Sequence, residues 1–258
     1  MGIHPTAIVH AGARIDPAAD IGPYCVIGDE VHIGAGTRLM AHIYVEGPTR
    51  IGESNEFYPF SSIGVASQDL KCQGERAETR IGNRNRIREF VTIHRGTRGG
   101  GALTSLADDA LVMAYAHIAH DCHLGSHAIL ANGVTLGGHV DIGEHAVVGA
   151  FSGVHQFCRV GAHAMVAGYS VVTRDVLPYS LTGVDRDARL IGENKVGLDR
   201  RGFPAAAVQK LHKAFRLLKS PRLNTTQALD RIAAEIEPSP EVSELVRFIQ
   251  SSERGVIK

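Results

Sequence analysis

From Ile3 onward an aliphatic or aromatic side chain returns at every sixth position. The first run reads Ile3, Val9, Ile15, Ile21, Ile27, Ile33, Leu39, Val45, Ile51, Phe57, Ile63. The register resumes at Ile81, Ile87 and Ile93, then at Leu106, and continues through Val112, Ile118, Leu124, Leu130, Leu136, Ile142, Val148, Val154, Val160 and Val166 to Val172. A period of six matches neither the 3.6 of a helix nor the 2 of a half-buried strand. It predicts a parallel β-helix. A second column, four residues after the first, is mostly small: Ala7, Ala13, Ala19, Cys25, Val31 and Thr37, and later Ala110, Ala116, Cys122 and Ala128. One large and one small side chain per hexad fill a narrow prism. Glycine often follows the large residue, as at Gly22, Gly28, Gly34, Gly125 and Gly143, which reads as glycine supplying the backbone conformation of a tight corner.

Residues 69–80 and 99–105 leave the register and are read as loops thrown out from the prism, where binding residues tend to lie. The register ends near Pro178, and residues 178–203 show no clear period. Beyond Pro204, Val208, Leu211, Phe215 and Leu218 form one helical stripe. Asn224 or Thr225 caps a second helix, and Ser239 with Pro240 begins a third. The expected organisation is a β-helix over 1–190 and a helical domain over 191–258 that covers the last, otherwise exposed, sheet edge.

Composition narrows the function. With 27 basic and 27 acidic side chains the net charge is zero, which offers no bulk field for nucleic acid. No apolar run is long enough to be a transmembrane segment, and no signal peptide precedes Ile3. Four cysteines lack CxxC spacing. Free thiols used as small core residues point to a reducing, cytoplasmic setting.

The hexads resemble the left-handed β-helices of the hexapeptide-repeat acyltransferases. The resemblance implies three hexads per coil, so that residue n lies under n+18, with rungs about 4.8 Å apart. That rule organises the segment Ala116-His117-Ile118-Ala119-His120-Asp121-Cys122. Ile118 and Cys122 face inward, leaving His120 and Asp121 outward. One coil later come Gly138 and His139, and His155 falls over Gly137. A neutral imidazole can take a proton from an alcohol. A neighbouring carboxylate fixes its tautomer, and a glycine N–H can approach a developing oxyanion. Any one of these histidines alone reads as a solvated surface residue; four with an aspartate, stacked by one rule, read as a site.

Six segments carry a closer resemblance: Gln68–Lys71, Arg84–Glu89, Val91–Thr97, Ala116–Cys122, Val154–Cys158 and Arg200–Phe203. In this order, over nearly the whole chain, they resemble the UDP-N-acetylglucosamine 3-O-acyltransferases, whose reaction is the first step of lipid A biosynthesis. The resemblance implies transfer of an (R)-3-hydroxyacyl group, carried on the phosphopantetheine of acyl carrier protein, to the glucosamine 3-hydroxyl of UDP-N-acetylglucosamine, with no other cofactor and no metal. His120 would be the general base, Asp121 its orienting partner and the Gly138 N–H the oxyanion donor. Asp69 and Lys71 would contact the sugar. His117, His139, His155 and Gln156 would contact sugar and phosphates, and Asn194, Arg200 and Arg201 the nucleotide. Gly168 lies where the family sets acyl length; its missing side chain leaves room for a chain on the order of a dozen carbons, although a backbone turn would equally account for the glycine. The family forms homotrimers with active sites between subunits. Val196 stands where the family often has an acidic residue.

Two relatives on the same prism are alternatives. The N-acyltransferase of the same pathway normally carries an extra N-terminal uridine-binding domain, for which a repeat beginning at Ile3 leaves no room. A γ-carbonic-anhydrase-like zinc enzyme uses a His pair separated by four residues, absent here. The acidic carrier protein calls for a basic dock, with Arg84, Arg86, Arg88, Arg216, Lys219 and Arg222 as candidates; each alone is ordinary solvated surface.

Overall fold

Backbone ladders join residues 18 apart, as in Ile3 over Ile21, Val9 over Ile27 and Ile15 over Ile33. The structure, a computed structural model, describes residues 2–183 and 188–258. Strands of two to four residues form three sheets in which hydrogen-bonded neighbours are three strands apart in sequence. Three hexads therefore make one turn of a triangular prism. Pairing is parallel until Ser180–Thr182, which takes Leu190–Glu193 as an antiparallel partner. Residues 191–193 thus complete the sheet rather than open the helical region.

The large column fills the axis: Ile27, Leu39, Phe57, Ile87, Ile118 and Leu136 are fully buried. Truncating one such side chain to Ala costs about 2–5 kcal/mol. The small column is not uniformly apolar. Thr37, Asn55 and Asn85 are buried within it and satisfy one another. The Asn55 amide donates to the Gly82 carbonyl at 2.8 Å, and the Asn85 amide to Asn55 Oδ1 at 3.0 Å.

The ladder offset grows to 30 between Glu56 and Arg86 and is 25 between Arg86 and Leu111. The excursions therefore add 12 and 7 residues to a coil, the lengths that the register breaks imply. Their positions differ from 69–80 and 99–105. Glu78–Ile81 and Leu103–Leu106 are strands, so the loops between strands occupy 66–77 and 95–102, the second one residue longer than the coil gains. The reason is physical: in the strands that re-enter the prism the large column marks the last of four residues, Ile81 and Leu106, so re-entry shows in the pattern three residues late.

Among the glycines that follow the large column, Gly64 takes the expected left-handed conformation, with φ 72°, whereas Gly22, Gly28, Gly34, Gly125 and Gly143 do not. The left-handed corner positions belong instead to Tyr24, His42, Phe60, Phe90 and Tyr115 along one edge and to His127, His145, His163 and Tyr179 along another, with φ between 53° and 65°. Non-glycine residues are uncommon there. Their rings stack from coil to coil, with centroids 4.8–5.1 Å apart from Tyr24 to Tyr115, and this offsets part of the backbone strain. Gly34 is needed because successive coils nearly touch: a Cβ there would lie 2.7 Å from the carbonyl carbon of Gly52.

A short helix not visible in the sequence pattern, α1 (Lys195–Arg200), precedes α2 (Ala205–Leu218), α3 (Thr225–Glu235) and α4 (Pro240–Gln250). Asn224 caps α3 in a capping box with Gln227, and Ser239 caps α4. Val208, Leu211, Phe215 and Leu218 form the buried stripe of α2. Arg159 on the last coil reaches the Phe248 carbonyl and the Ser251 hydroxyl, and Asp175 pairs through its backbone with Gly255 and Ile257. The helices thus close the end of the prism. No helix among the described residues is long and apolar enough to cross a membrane.

Gly34→Ala should destabilise the protein by about 1–3 kcal/mol. Gly153→Ala, where a Cβ meets nothing within 4 Å, should change stability by less than about 0.5 kcal/mol; urea titration of both variants checks the pair. His163 lies in the corner stack with Nδ1 buried and unpartnered, and burial, then the charges of His145 and Arg201, pull it down to about 4. A depressed imidazole favours the fold above its unfolded value, near 6.5, and that contribution is lost as pH falls toward 4. His163→Phe, which keeps the stack, should therefore lose less stability than the native chain between these pH values in thermal melts.

Candidate active site

The corner between strands His117–Ile118 and His123–Leu124 carries His120 and Asp121. Asp121 adopts φ 57°, which turns its side chain back along the corner. Its Oδ2 lies 2.8 Å from His120 Nδ1. A carboxylate only accepts, so Nδ1 carries the proton and Nε2 keeps its lone pair. Asp69 reaches over from the first excursion, its Oδ2 4.0 Å from Nε2. That gap is too long for a direct hydrogen bond and faces the nitrogen that is left free to act as base.

One coil on, the His139 N–H donates to the His120 carbonyl at 3.0 Å and the two rings meet edge-on at 5.0 Å. A Cβ on Gly138 would sit 2.5 Å from His120 Nε2, so only glycine lets the imidazole take this position. His117 is held by Thr92 Oγ1 at 2.7 Å, and edge-on against it lies His94, buried and not foreseen from the sequence. Burial lowers His117 and His139 and takes His94 down to about 4; the charges of His117 and His120 push His94 further and that of His120 pushes His117 further, whereas for His139 the Asp121 carboxylate opposes burial. They are neutral near pH 7. His155 and Gln156 lie one coil higher and exposed; Arg254, also unforeseen, reaches His155 Nδ1 at 3.2 Å.

Asp121 is not the solvated outward residue that the alternation suggests. It is 2% exposed, because the 95–102 excursion folds over it and Thr97 donates to both its oxygens. Thr97 was missed because the 18-residue rule fails across an excursion. The observed offset of 25 leads from Asp121 to Gly96, next to Thr97.

The remaining expected residues lie elsewhere. Lys71 is exposed, its backbone N–H on Asp69 Oδ1 at 3.0 Å. Asn194 caps α1 and donates to the His163 carbonyl, and Arg201 reaches the His145 carbonyl at 3.2 Å. Arg200 is exposed on the same helix. These three belong to the corner that carries His127, His145 and His163, not to that of His120. Gly168 is not in the left-handed region; its neighbour Tyr169 is. The turn explanation for Gly168 therefore falls away, although a Cβ would come 3.1 Å from the Ala150 carbonyl oxygen. Of the basic dock candidates, Arg84, Arg86 and Arg88 are engaged by Asp108 and Asp109, Glu56 and Glu89.

Among the described residues, two groups could bring three metal-ligating atoms within 4.8 Å: His120, Asp121 and His139, and His127, Glu144 and His145. In the first, Thr97 and His120 already engage the Asp121 oxygens. In the second, the imidazoles stack face to face at 4.4 Å and 4°, so their in-plane lone pairs run side by side rather than meeting at one ion. Neither favours zinc chemistry.

The family described as UDP N-acetylglucosamine O-acyltransferase, domain 2, matches residues 175–257, and that of the bacterial transferase hexapeptide (six repeats) matches 104–138. An acyl-[acyl-carrier-protein]–UDP-N-acetylglucosamine O-acyltransferase of Thermodesulfovibrio yellowstonii is 46% identical over 256 residues, 99% of each chain. The solved UDP-N-acetylglucosamine O-acyltransferase of Moraxella catarrhalis superposes with a TM-score of 0.96 at 41% identity over 100% of both chains. The solved LpxA of Acinetobacter baumannii gives 0.96 at 44% over 99% of both. The prism is thus a left-handed β-helix, and this chain belongs to the UDP-N-acetylglucosamine O-acyltransferase family.

Proposed function

We propose that the protein transfers an (R)-3-hydroxyacyl group from acyl carrier protein to the 3-hydroxyl of UDP-N-acetylglucosamine, the first step of lipid A biosynthesis. The observation that carries the mechanism is the buried Asp121 on His120 Nδ1, which leaves Nε2 basic at the surface of the corner. Nε2 takes the proton of the sugar hydroxyl as its oxygen attacks the thioester carbonyl. The Gly138 N–H, which no acceptor takes among the described residues, donates to the oxyanion. Collapse expels the phosphopantetheine thiolate, which recovers the proton from His120. Asp121 stabilises the imidazolium between the two transfers. The O-acyltransferase relatives favour this reading over N-acylation.

Asp69, Lys71, His117, His139, His155 and Gln156 line the route from this corner toward sugar and phosphates. Asn194, Arg200 and Arg201 sit on another corner, so a homotrimer in which a second copy presents that corner is the arrangement that unites them with His120. Arg suits a pyrophosphate through its forked donors. Among the dock candidates, Arg216, Lys219 and Arg222 have no acidic partner among the described residues, Lys219 donating to the Ile191 carbonyl, and remain for an acidic carrier. The four free cysteines fit a reducing cytoplasm.

His120→Ala should lower transfer from 3-hydroxyacyl carrier protein by several orders of magnitude, and Asp121→Asn by roughly 10³- to 10⁴-fold, with folding retained. Turnover near the native rate in His120→Ala would refute the base assignment. Gly168→Met should disfavour the longest acyl donor by about tenfold or more relative to shorter ones; a competition assay with carrier proteins of mixed chain length reads this out.

A further inference from the structure

The Asp121 carboxylate has a second set of donors besides His120. The Thr97 N–H lies 2.9 Å from Oδ1 and 3.1 Å from Oδ2, and the Thr97 hydroxyl donates to Oδ2 at 2.6 Å. That hydroxyl therefore shares Oδ2 with His120 Nδ1. Thr97 is itself buried. It anchors the excursion, because the N–H groups of Gly100 and Ala102 both return to its carbonyl, at 3.0 and 2.9 Å. Gly100 packs so closely on the carboxylate that a Cβ would overlap it. On the other side, the Asp121 N–H donates to Thr104 Oγ1 at 2.8 Å. The carboxylate plane is thus held from the loop and its backbone from the adjoining strand, so Oδ2 cannot rotate away from the imidazole.

Resting on the reading of His120 as the base, we propose that Thr97 is a positioning residue for the acyl transfer. Its hydroxyl and N–H fix the Asp121 carboxylate so that Oδ2 meets Nδ1, which keeps Nε2 unprotonated and directed at the acceptor hydroxyl. The excursion is then part of the catalytic unit rather than a tolerated insertion. Because the Thr97 hydroxyl also draws charge from Oδ2, removing it changes the strength of the Asp121–His120 hydrogen bond, and the pH–rate profile reads that change. The other titratable groups around this pair are Asp69 from the first excursion, His139 from the next coil, His117 and His94 from the strand side, Cys122 beside Asp121, and His123, which acts on His139. None of them is altered by a change at Thr97.

The test compares pH–rate profiles of the full-length native protein, Thr97→Val, Thr97→Ser and His120→Ala, with thermal melts to report folding. Thr97→Val should lower kcat roughly 10- to 100-fold, with the KM for UDP-N-acetylglucosamine changed less than about threefold, and should move the acid limb of kcat/KM. Thr97→Ser, which keeps the hydroxyl, should restore most of both. If Thr97→Val does not fold, Thr97→Ala is read in the same way. A folded variant without the hydroxyl that keeps native kcat and the native acid limb overturns the proposal. So does a Ser variant no better than Val, because the methyl packing and not the hydroxyl would then matter. A collapsed His120→Ala beside an unaffected Thr97→Val sinks Thr97 alone, whereas an active His120→Ala removes the base reading and the proposal with it.

Discussion

Everything in this molecule depends on the parallel backbone ladder that sets residue n under residue n+18. Each coil donates its N–H groups to the next, and the apolar column supplies the burial that holds the coils together. The ladder leaves no freedom in rotation or register: a slip of one residue would turn every buried aliphatic outward. It also brings successive coils so close that Gly34 has no room for a methyl group, and it stacks the corner side chains whatever their chemistry. A ring at a corner always meets the corner residue of the next coil, which is why Tyr24 through Tyr115 and His127 through His163 form columns.

The same rigidity explains what could be read from the sequence. The hexad period and the coil offset were visible, and with them the convergence of His117, His120, Asp121, Gly138 and His139, since each follows from counting. Helices α2 to α4 were legible through their stripes and caps. What escaped was whatever the ladder does not dictate. The excursions were measured correctly in length but placed three residues late, because the period marks only the inward column. Glycine after the large residue looked like a turn requirement when it answers a close approach between coils, a distance that no single-coil pattern encodes. Thr97 and Arg254 were invisible as site residues because an excursion and the C-terminal tail bring them in, and His94, at the end of the strand Thr92–His94, because it meets His117 across the 25-residue offset rather than one of 18. Asn194 and Arg201 were named from resemblance, and nothing in their spacing indicates which corner they occupy.

The electrostatics of the corner follow from crowding around one buried anion. Asp121 lies at the centre of a group of imidazoles, of which His94, His117 and His139 are held neutral chiefly by burial, in His139 against the pull of the Asp121 carboxylate. Only one positive charge is well compensated here, and it belongs on the ring that touches the carboxylate. The neutral neighbours can still donate and accept hydrogen bonds without competing for a proton. Such a site can hold a transient imidazolium during reaction, because the buried carboxylate is already in place to compensate it.

A lattice of coils about 4.8 Å apart can place catalytic groups reproducibly, but only at lattice points. Fixing a carboxylate plane requires donors at positions between the rungs, and a regular coil has none to offer on its outer corner. The two excursions meet that need. One carries Asp69 to the open side of His120, and the other folds Thr97 and Gly100 onto Asp121. The prism therefore sets the coarse coordinates of the imidazole and the excursions set its fine orientation. Shortening the second loop to restore the uninterrupted hexad would remove the Thr97 donors that hold Asp121, and shortening the first would remove the Asp69 carboxylate from the open side of the base. On that argument, the irregular segments are where the function of an otherwise repetitive fold is specified.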